Sequence, residues 1–145
     1  MKNIPVIRIV AEKPLKYDTK TVNTPEVAAE ILDKFMDERC STDRENFITM
    51  CLDTKNRVVA LNIVSTGTLN KTSVHPREVF KPVLLANSAA IILAHNHPSG
   101  DVTASKEDVS ITTRLDEAGK LLGIQVLDHL IIGNGHMSMK AAGLF

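Results

Sequence analysis

The chain has 145 residues, enough for one ordinary domain with a single hydrophobic core. Its 43% hydrophobic and 23% charged residues exclude a disordered chain, and 17 basic against 17 acidic residues supply no overall positive field to recruit nucleic acid. No apolar run has the length of a membrane span, and Pro5 and Arg8 interrupt the first ten residues in a way no signal peptide does, so the expected compartment is the cytoplasm.

In chain order, Ile4, Val6, Ile7, Ile9 and Val10 predict a short strand over residues 4–10, in an N-terminal strand and extension covering residues 1–23. A single domain over 24–145 follows. Thr24 before Pro25 is a helix start, a capping hydroxyl followed by proline at the first helical position. Ala28, Ile31, Leu32 and Phe35 form one apolar stripe, which predicts a helix from Pro25 to Arg39. Phe47–Leu52 and Arg57–Ser65 are β-rich runs joined by the polar turn Asp53-Thr54-Lys55-Asn56, a hairpin. Pro76–Ala86 reads as a helix that Pro82 should kink or stop early.

Ala89–Ala94 is almost uninterruptedly apolar, as a central strand covered on both faces must be. Turn residues occupy Pro98–Thr103, and a long helix then runs to Leu122, ended by Gly123. Ile124–Ile132 predicts another strand, and Gly133-Asn134-Gly135 a turn into a short last one. Helices interleave with strands throughout, so the fold class is α/β or α+β, a mixed β-sheet sandwiched by helices. Cys40, near a helix end, and Cys51, in a strand, have no CxxC spacing and are expected to be reduced.

The segment with chemistry in it runs from Ala94 to Asp108. His95 and His97 lie two apart at the end of the apolar strand, so both imidazoles project from the face that carries Ala89, Ile91 and Leu93. Imidazole is a favoured zinc ligand, and two on one face can converge on one ion. The apolar stripe of the following helix is Ile111, Leu115, Ala118 and Leu122, and extending it backwards lands on Asp108. A carboxylate heading a buried face needs a cationic or hydrogen-bonding partner. Ser105 lies on the same side of the helix, and the turn at Pro98-Ser99-Gly100 reverses the chain so that the helix start can pack beside the strand end. Ser-x-x-Asp at a helix start is equally a capping box, and a single strand histidine is usually a core residue; the coincidence of all these features on one side favours a metal site. Two His and one Asp leave a zinc ion one open position for water, as in a catalytic site.

His95-x-His97, seven residues, Ser105, two residues, Asp108 resembles the JAMM motif of JAB1/MPN metalloproteases. More closely, His95-Asn96-His97-Pro98-Ser99-Gly100-Asp101 resembles the signature of the bacterial RadC family. The likeness runs from about Thr24 to Phe145 and includes Arg44-Glu45, Leu52-Asp53, Gly67-Thr68-Leu69-Asn70, His75-Pro76-Arg77-Glu78-Val79-Phe80 and Leu127-Asp128-His129. Val102 and Ala104 stand where proline is common in relatives. Full-length RadC proteins usually carry an N-terminal helix-hairpin-helix segment, and this chain is too short for it. The resemblance implies a cytidine-deaminase-like JAB/MPN fold holding one Zn2+ per chain on His95, His97 and Asp108. It also implies that Ser105 helps hold the water and the developing oxyanion. For the catalytic glutamate it points to Glu45, with Glu78 as a second candidate, and for the reaction to hydrolysis of an amide or isopeptide bond in a protein or peptide substrate.

Other readings fit less well. His-Asn-His is contiguous here, whereas HNH nucleases disperse those residues over a ββα motif. A zinc deaminase needs His-x-Glu and Pro-Cys-x-x-Cys, and a zincin needs His-Glu-x-x-His on a helix; none of these is present. A non-catalytic or DNA-repair-associated accessory module retaining the zinc fold is the rival from another class. Neutral charge and the absence of Trp argue against autonomous DNA binding, and an open metal position argues for turnover. Asp128 and His129 point to opposite faces of the late strand, as a satisfied polar pair or with one of them orienting a ligand histidine. His75 and His136 are expected to be exposed near loops, and Asn96 to face away from the ligands and bond local backbone.

Overall fold

Two apolar faces, each needing cover, dictate the architecture. The computed structural model describes residues 1, 3–8, 10–18, 21–67 and 74–145. The elements in chain order are α1 (Pro25–Arg39), β1 (Glu45–Leu52), β2 (Val58–Gly67), α2 (Pro76–Leu85), β3 (Ala90–Asn96), α3 (Lys106–Leu122), β4 (Gln125–Gly133) and β5 (Gly135–Ser138). The sheet has the order β2-β1-β3-β4-β5, with β3 and β4 parallel and the other neighbours antiparallel. The parallel pair requires a crossover, which α3 provides.

Strand alternation divides the core. Ile48, Met50 and Leu52 of β1, Ala90, Ile92 and Ala94 of β3, and Leu130 and Ile132 of β4 face one side, where the Ala28–Ile31–Leu32–Phe35 stripe of α1 covers them. Phe47 and Cys51, Ile91 and Leu93, and Val126 face the other side, under Val79, Phe80 and Val83 of α2 and Ile111 and Leu115 of α3. Every residue of β3 is buried, as its continuous apolar run requires. The result is a mixed sheet between helices, as the element order predicts. No helix among the described residues is long and apolar enough to cross a membrane.

Three expectations need correction. Residues 4–8 and 10 form no strand, and Val6 is 98% exposed; Ile9 lies outside the described residues. A strand needs a ladder partner, and none pairs with this stretch among the described residues; the segment before α1 meets the hairpin further on, at an isolated Thr21–Arg57 bridge and the bond from Val22 N–H to the Asn56 carbonyl (2.8 Å). The buried face of α3 comprises Asp108, Ile111, Thr112, Leu115 and Gly119, while Leu122 is exposed. Gly119 is what lets the helix end close onto β4: a Cβ there would lie 2.5 Å from the carbonyl oxygen of Ile124. Pro82 does not end α2, which runs to Leu85; Pro82 falls in its last turn. Cys40 and Cys51 are both free thiols, at the end of α1 and within β1. Of the motif Gly67-Thr68-Leu69-Asn70, residues 68–70 lie outside the described residues.

Candidate metal centre

His95 is set by the sheet. It sits in β3 opposite Phe47 of β1 and Ile131 of β4, on the face covered by α2 and α3. Its ring is wholly buried and stacks parallel to Phe47, with centroids 6.3 Å apart. His97 follows directly on the strand; its N–H bonds the carbonyl of Ile132 (2.9 Å), which carries the β3–β4 ladder one residue further. The chain then turns back. Gly100 donates its N–H to the His97 carbonyl (2.9 Å) and accepts from Asn134 N–H (2.8 Å), so the loop rests on the β4–β5 turn. Gly133 permits this contact, because a Cβ there would lie 2.5 Å from the Gly100 oxygen. Thus the loop delivers Ser105 and α3 beside the strand end.

At the head of α3 the capping box is formed. Ser105 Oγ accepts from Asp108 N–H (3.0 Å), and Asp108 Oδ2 accepts from Ser105 N–H (2.8 Å). The cap and the site are the same structure, since this carboxylate also meets the histidines. Asp108 Oδ1 is 3.2 Å from His95 Nε2, Asp108 Oδ2 is 3.5 Å from His97 Nε2, and the two Nε2 atoms are 2.9 Å apart. Tetrahedral zinc with bonds of about 2.0–2.1 Å would set its ligand atoms roughly 3.3 Å from one another. The three side chains therefore form a group that could hold a metal ion.

Electrostatics point the same way. Burial works to raise the Asp108 carboxyl, but hydrogen bonding and positive charge from His95, with the Ser105 N–H, outweigh it and hold the group well below the usual carboxylate range. An ionised carboxylate this far from water needs a cation beside it. His97 has one definite proton: its Nδ1 is 2.7 Å from the carbonyl oxygen of Asp101, which can only accept, so Nδ1 carries the hydrogen and Nε2 presents a lone pair to the site. His95 Nδ1 is 2.7 Å from His129 Nε2, and His129 Nδ1 is 2.5 Å from Thr112 Oγ1. Complete burial, and then the neighbouring His95, push the His129 imidazole well below its ordinary range, so it is neutral.

The carboxylates differ in placement. Glu45 opens β1 and, two residues before Phe47, shares the pleat side of Phe47 and His95 at the same end of the sheet. It lines an open groove with Asp43, Arg44, Gly67 and Pro98, the residue after His97. Asn96 braces it from behind. The Asn96 side chain accepts from Asn46 N–H (2.8 Å) and donates to the Arg44 carbonyl (2.9 Å), holding the peptide groups on both sides of Glu45. Glu78 lies on the exposed surface of α2, where it pairs with Lys81 at 3.2 Å. Asp128 ties β4 to the C-terminal turn through His129 N–H, Ser138 Oγ and Lys140 N–H. His75 and His136 are half-buried rather than exposed, the first capping the start of α2 and the second within β5, where its Nε2 lies 3.9 Å from Glu26 of α1.

Comparison with known proteins places this geometry. The sequence model of the RadC-like JAB domain matches residues 22–144. This chain belongs to the RadC-like JAB domain family. Its five-stranded mixed sheet between helices is accordingly a JAB/MPN fold. A UPF0758 protein of Desulforudis audaxviator is 54% identical over 126 residues, covering 86% of this chain and 54% of that protein. One of Moorella thermoacetica is 57% identical over 110 residues, 75% of this chain and 48% of that protein. One of Desulfitobacterium hafniense is 46% identical over 138 residues, 94% of this chain and 59% of that protein. The chain spans about half the length of the curated relatives it matches.

Two residues in contact with this RadC-like centre were hidden in the sequence. Thr112 interrupts an apolar stripe and reads as a surface residue, yet it lies one helical turn beyond Asp108 on the same buried face. The Asp101 carbonyl is a backbone group and has no sequence signal at all.

Proposed function

We propose that this chain is a zinc-dependent hydrolase of the JAMM metallopeptidase type, cleaving an amide or isopeptide bond in a protein or peptide substrate. The observation that carries the reading is the convergence of two imidazoles and a buried carboxylate, one ligand atom from each lying within 4.8 Å of the others, in a RadC-like JAB domain. His95, His97 and Asp108 would hold one zinc ion. Two nitrogens and one carboxylate suit zinc, whereas magnesium and calcium favour all-oxygen sets. When bound, zinc supplies Lewis acidity that brings a water within reach of deprotonation near neutrality and polarises a carbonyl.

The remaining work falls to the chain's own groups. Glu45, at the groove leading to His97, would accept the proton of the attacking water and return it to the departing amine. Ser105 Oγ accepts the Asp108 N–H, and this leaves its own hydroxyl proton free to donate to the oxyanion that develops on the substrate. Phe47 stacked on His95 keeps water from the far side of the ligands, which strengthens each of these interactions. The exposed groove beside Glu45 leaves room for an extended backbone.

Metal analysis and turnover test the reading together. About one zinc per chain is expected in the wild type and none in His97→Ala. Hydrolysis of a degenerate fluorogenic peptide pool should stop with chelator and return with zinc. Glu45→Gln should keep its zinc and lose on the order of 10²–10⁴-fold in rate. Hydrolysis that survives chelation, or full activity in Glu45→Gln, would overturn the mechanism.

A further inference from the structure

We propose that Thr112 and His129 form a relay that orders His95, keeping a hydrogen on its Nδ1 and leaving Nε2 as the nitrogen offered to the metal pocket. The inference deepens the zinc reading above and rests on it. It follows from counting protons along one line of buried atoms. Thr112 Oγ1 has a single hydrogen and two short contacts, the Asp108 backbone carbonyl at 2.6 Å and His129 Nδ1 at 2.5 Å. The carbonyl can only accept, so the hydroxyl hydrogen goes to it; otherwise two acceptor oxygens would face each other unprotonated. His129 Nδ1 must then donate to Thr112.

A neutral imidazole with its hydrogen on Nδ1 has a lone pair on Nε2, and His129 Nε2 lies 2.7 Å from His95 Nδ1. His95 Nδ1 must therefore be the donor of that pair, which leaves Nε2 as the nitrogen that faces His97 and Asp108. The relay is anchored at both ends. Its origin is the backbone of Asp108 itself, and its last member is the imidazole that Asp108 faces. Helix α3 thus contributes one metal-facing carboxylate and, through Thr112 one turn later, the proton order of a histidine on a different strand. His129 is held in place by the β3–β4 register, opposite Leu93, and its ring meets Phe47 edge-on at 5.4 Å and His95 at 4.8 Å. Thr112 and His129 touch no substrate position; they are positioning residues.

Removing the hydroxyl should invert the order. In Thr112→Val the His129 Nδ1–H has no acceptor, and the ring is better satisfied with its hydrogen on Nε2. That hydrogen then faces His95 Nδ1, which must accept, so the hydrogen of a neutral His95 is confined to Nε2, where it blocks ligation. Outer partners of this kind are typically worth about 10–100-fold in metal affinity.

The test uses zinc competition against a chromophoric chelator, with folding checked by circular dichroism and thermal unfolding. Thr112→Val should bind zinc about 10–100-fold more weakly than the wild type. Thr112→Ser, which keeps the hydroxyl, should restore binding to within about threefold. In parallel, imidazole 15N shifts of the metal-free wild type should show His129 as the Nδ1–H tautomer. That measurement stands even if the valine variant fails to fold. A folded Thr112→Val with wild-type zinc affinity, or a His129 that carries its hydrogen on Nε2, overturns the relay. A wild-type chain that takes up no zinc overturns the metal reading instead, and the 15N shifts then decide the relay alone.

Discussion

Ser105 has two functions that ordinarily belong to different residues. As the cap of α3 it accepts the Asp108 N–H, and as the proposed oxyanion donor it offers its hydroxyl hydrogen outward. The two can be separated because alanine and glycine differ at a cap. Ser105→Ala should cost about 1 kcal/mol, whereas Ser105→Gly should cost only a few tenths. For a domain of this size 1 kcal/mol corresponds to a shift in Tm of roughly 3–5 °C. Hydrolysis should fall equally in both, since neither has a hydroxyl, and zinc content should hold in both. Calorimetry beside a rate assay checks this; activity losses that track Tm would reduce Ser105 to a cap. At the same scale, Asp108 was legible from the sequence through an extrapolated helix stripe, and the structure buries it where that stripe leads. Its partner Thr112 was not legible. A buried threonine and an exposed one are the same letter, and only the sum of neighbours distinguishes them.

The element that matters most is the loop between β3 and α3. It has no regular secondary structure, yet both ends carry site residues, so its path sets their separation. That path depends on the backbone contact between Gly100 and the β4–β5 turn. Gly133→Ala would place a Cβ 2.5 Å from the Gly100 oxygen and push the loop off the turn. Zinc affinity should drop by at least about tenfold, an effect of the size seen when supporting groups are lost, while the far-UV spectrum stays native. Zinc titration of the folded variant checks it, and unchanged affinity would show that the loop does not need this support. Most elements were legible in their local patterns. Thr24-Pro25 begins α1, Gly123 adopts φ 74° at the end of α3, and the apolar run of β3 is the centre of the sheet. Residues 4–8 and 10, which form no strand, teach the reverse lesson: apolar composition makes a strand only where a neighbour offers a ladder.

At the scale of the molecule, the domain is two cores separated by one sheet, and His95 continues the strand face that α2 and α3 cover. Ile4, Val6, Ile7 and Val10 belong to neither core, for all four are exposed. Attachment begins further on, where Lys13 and Lys16 carbonyls accept from Arg39 and Lys34 of α1 and where Leu15 and Tyr17 pack on the core. Deleting residues 1–10 should therefore leave Tm within about 2 °C and zinc binding unchanged, because unpacked surface residues contribute within about ±0.5 kcal/mol. A larger loss in thermal unfolding would mean that this segment has a packing partner in solution.

The sequence by itself determined which residues could serve a metal and which segments carry them. Spacing of two in a strand and of three or four in a helix follows from local backbone geometry, and the motif from His95 to Asp108 is contiguous in the chain. Tertiary structure alone decided how those residues are oriented and protonated. His129 and Phe47 reach His95 from β4 and β1 through strand register, and register is a property of pairing, not of any one strand. The proton order along Thr112, His129 and His95 depends on distances between atoms 17 and 34 residues apart in the chain. No local pattern encodes such distances.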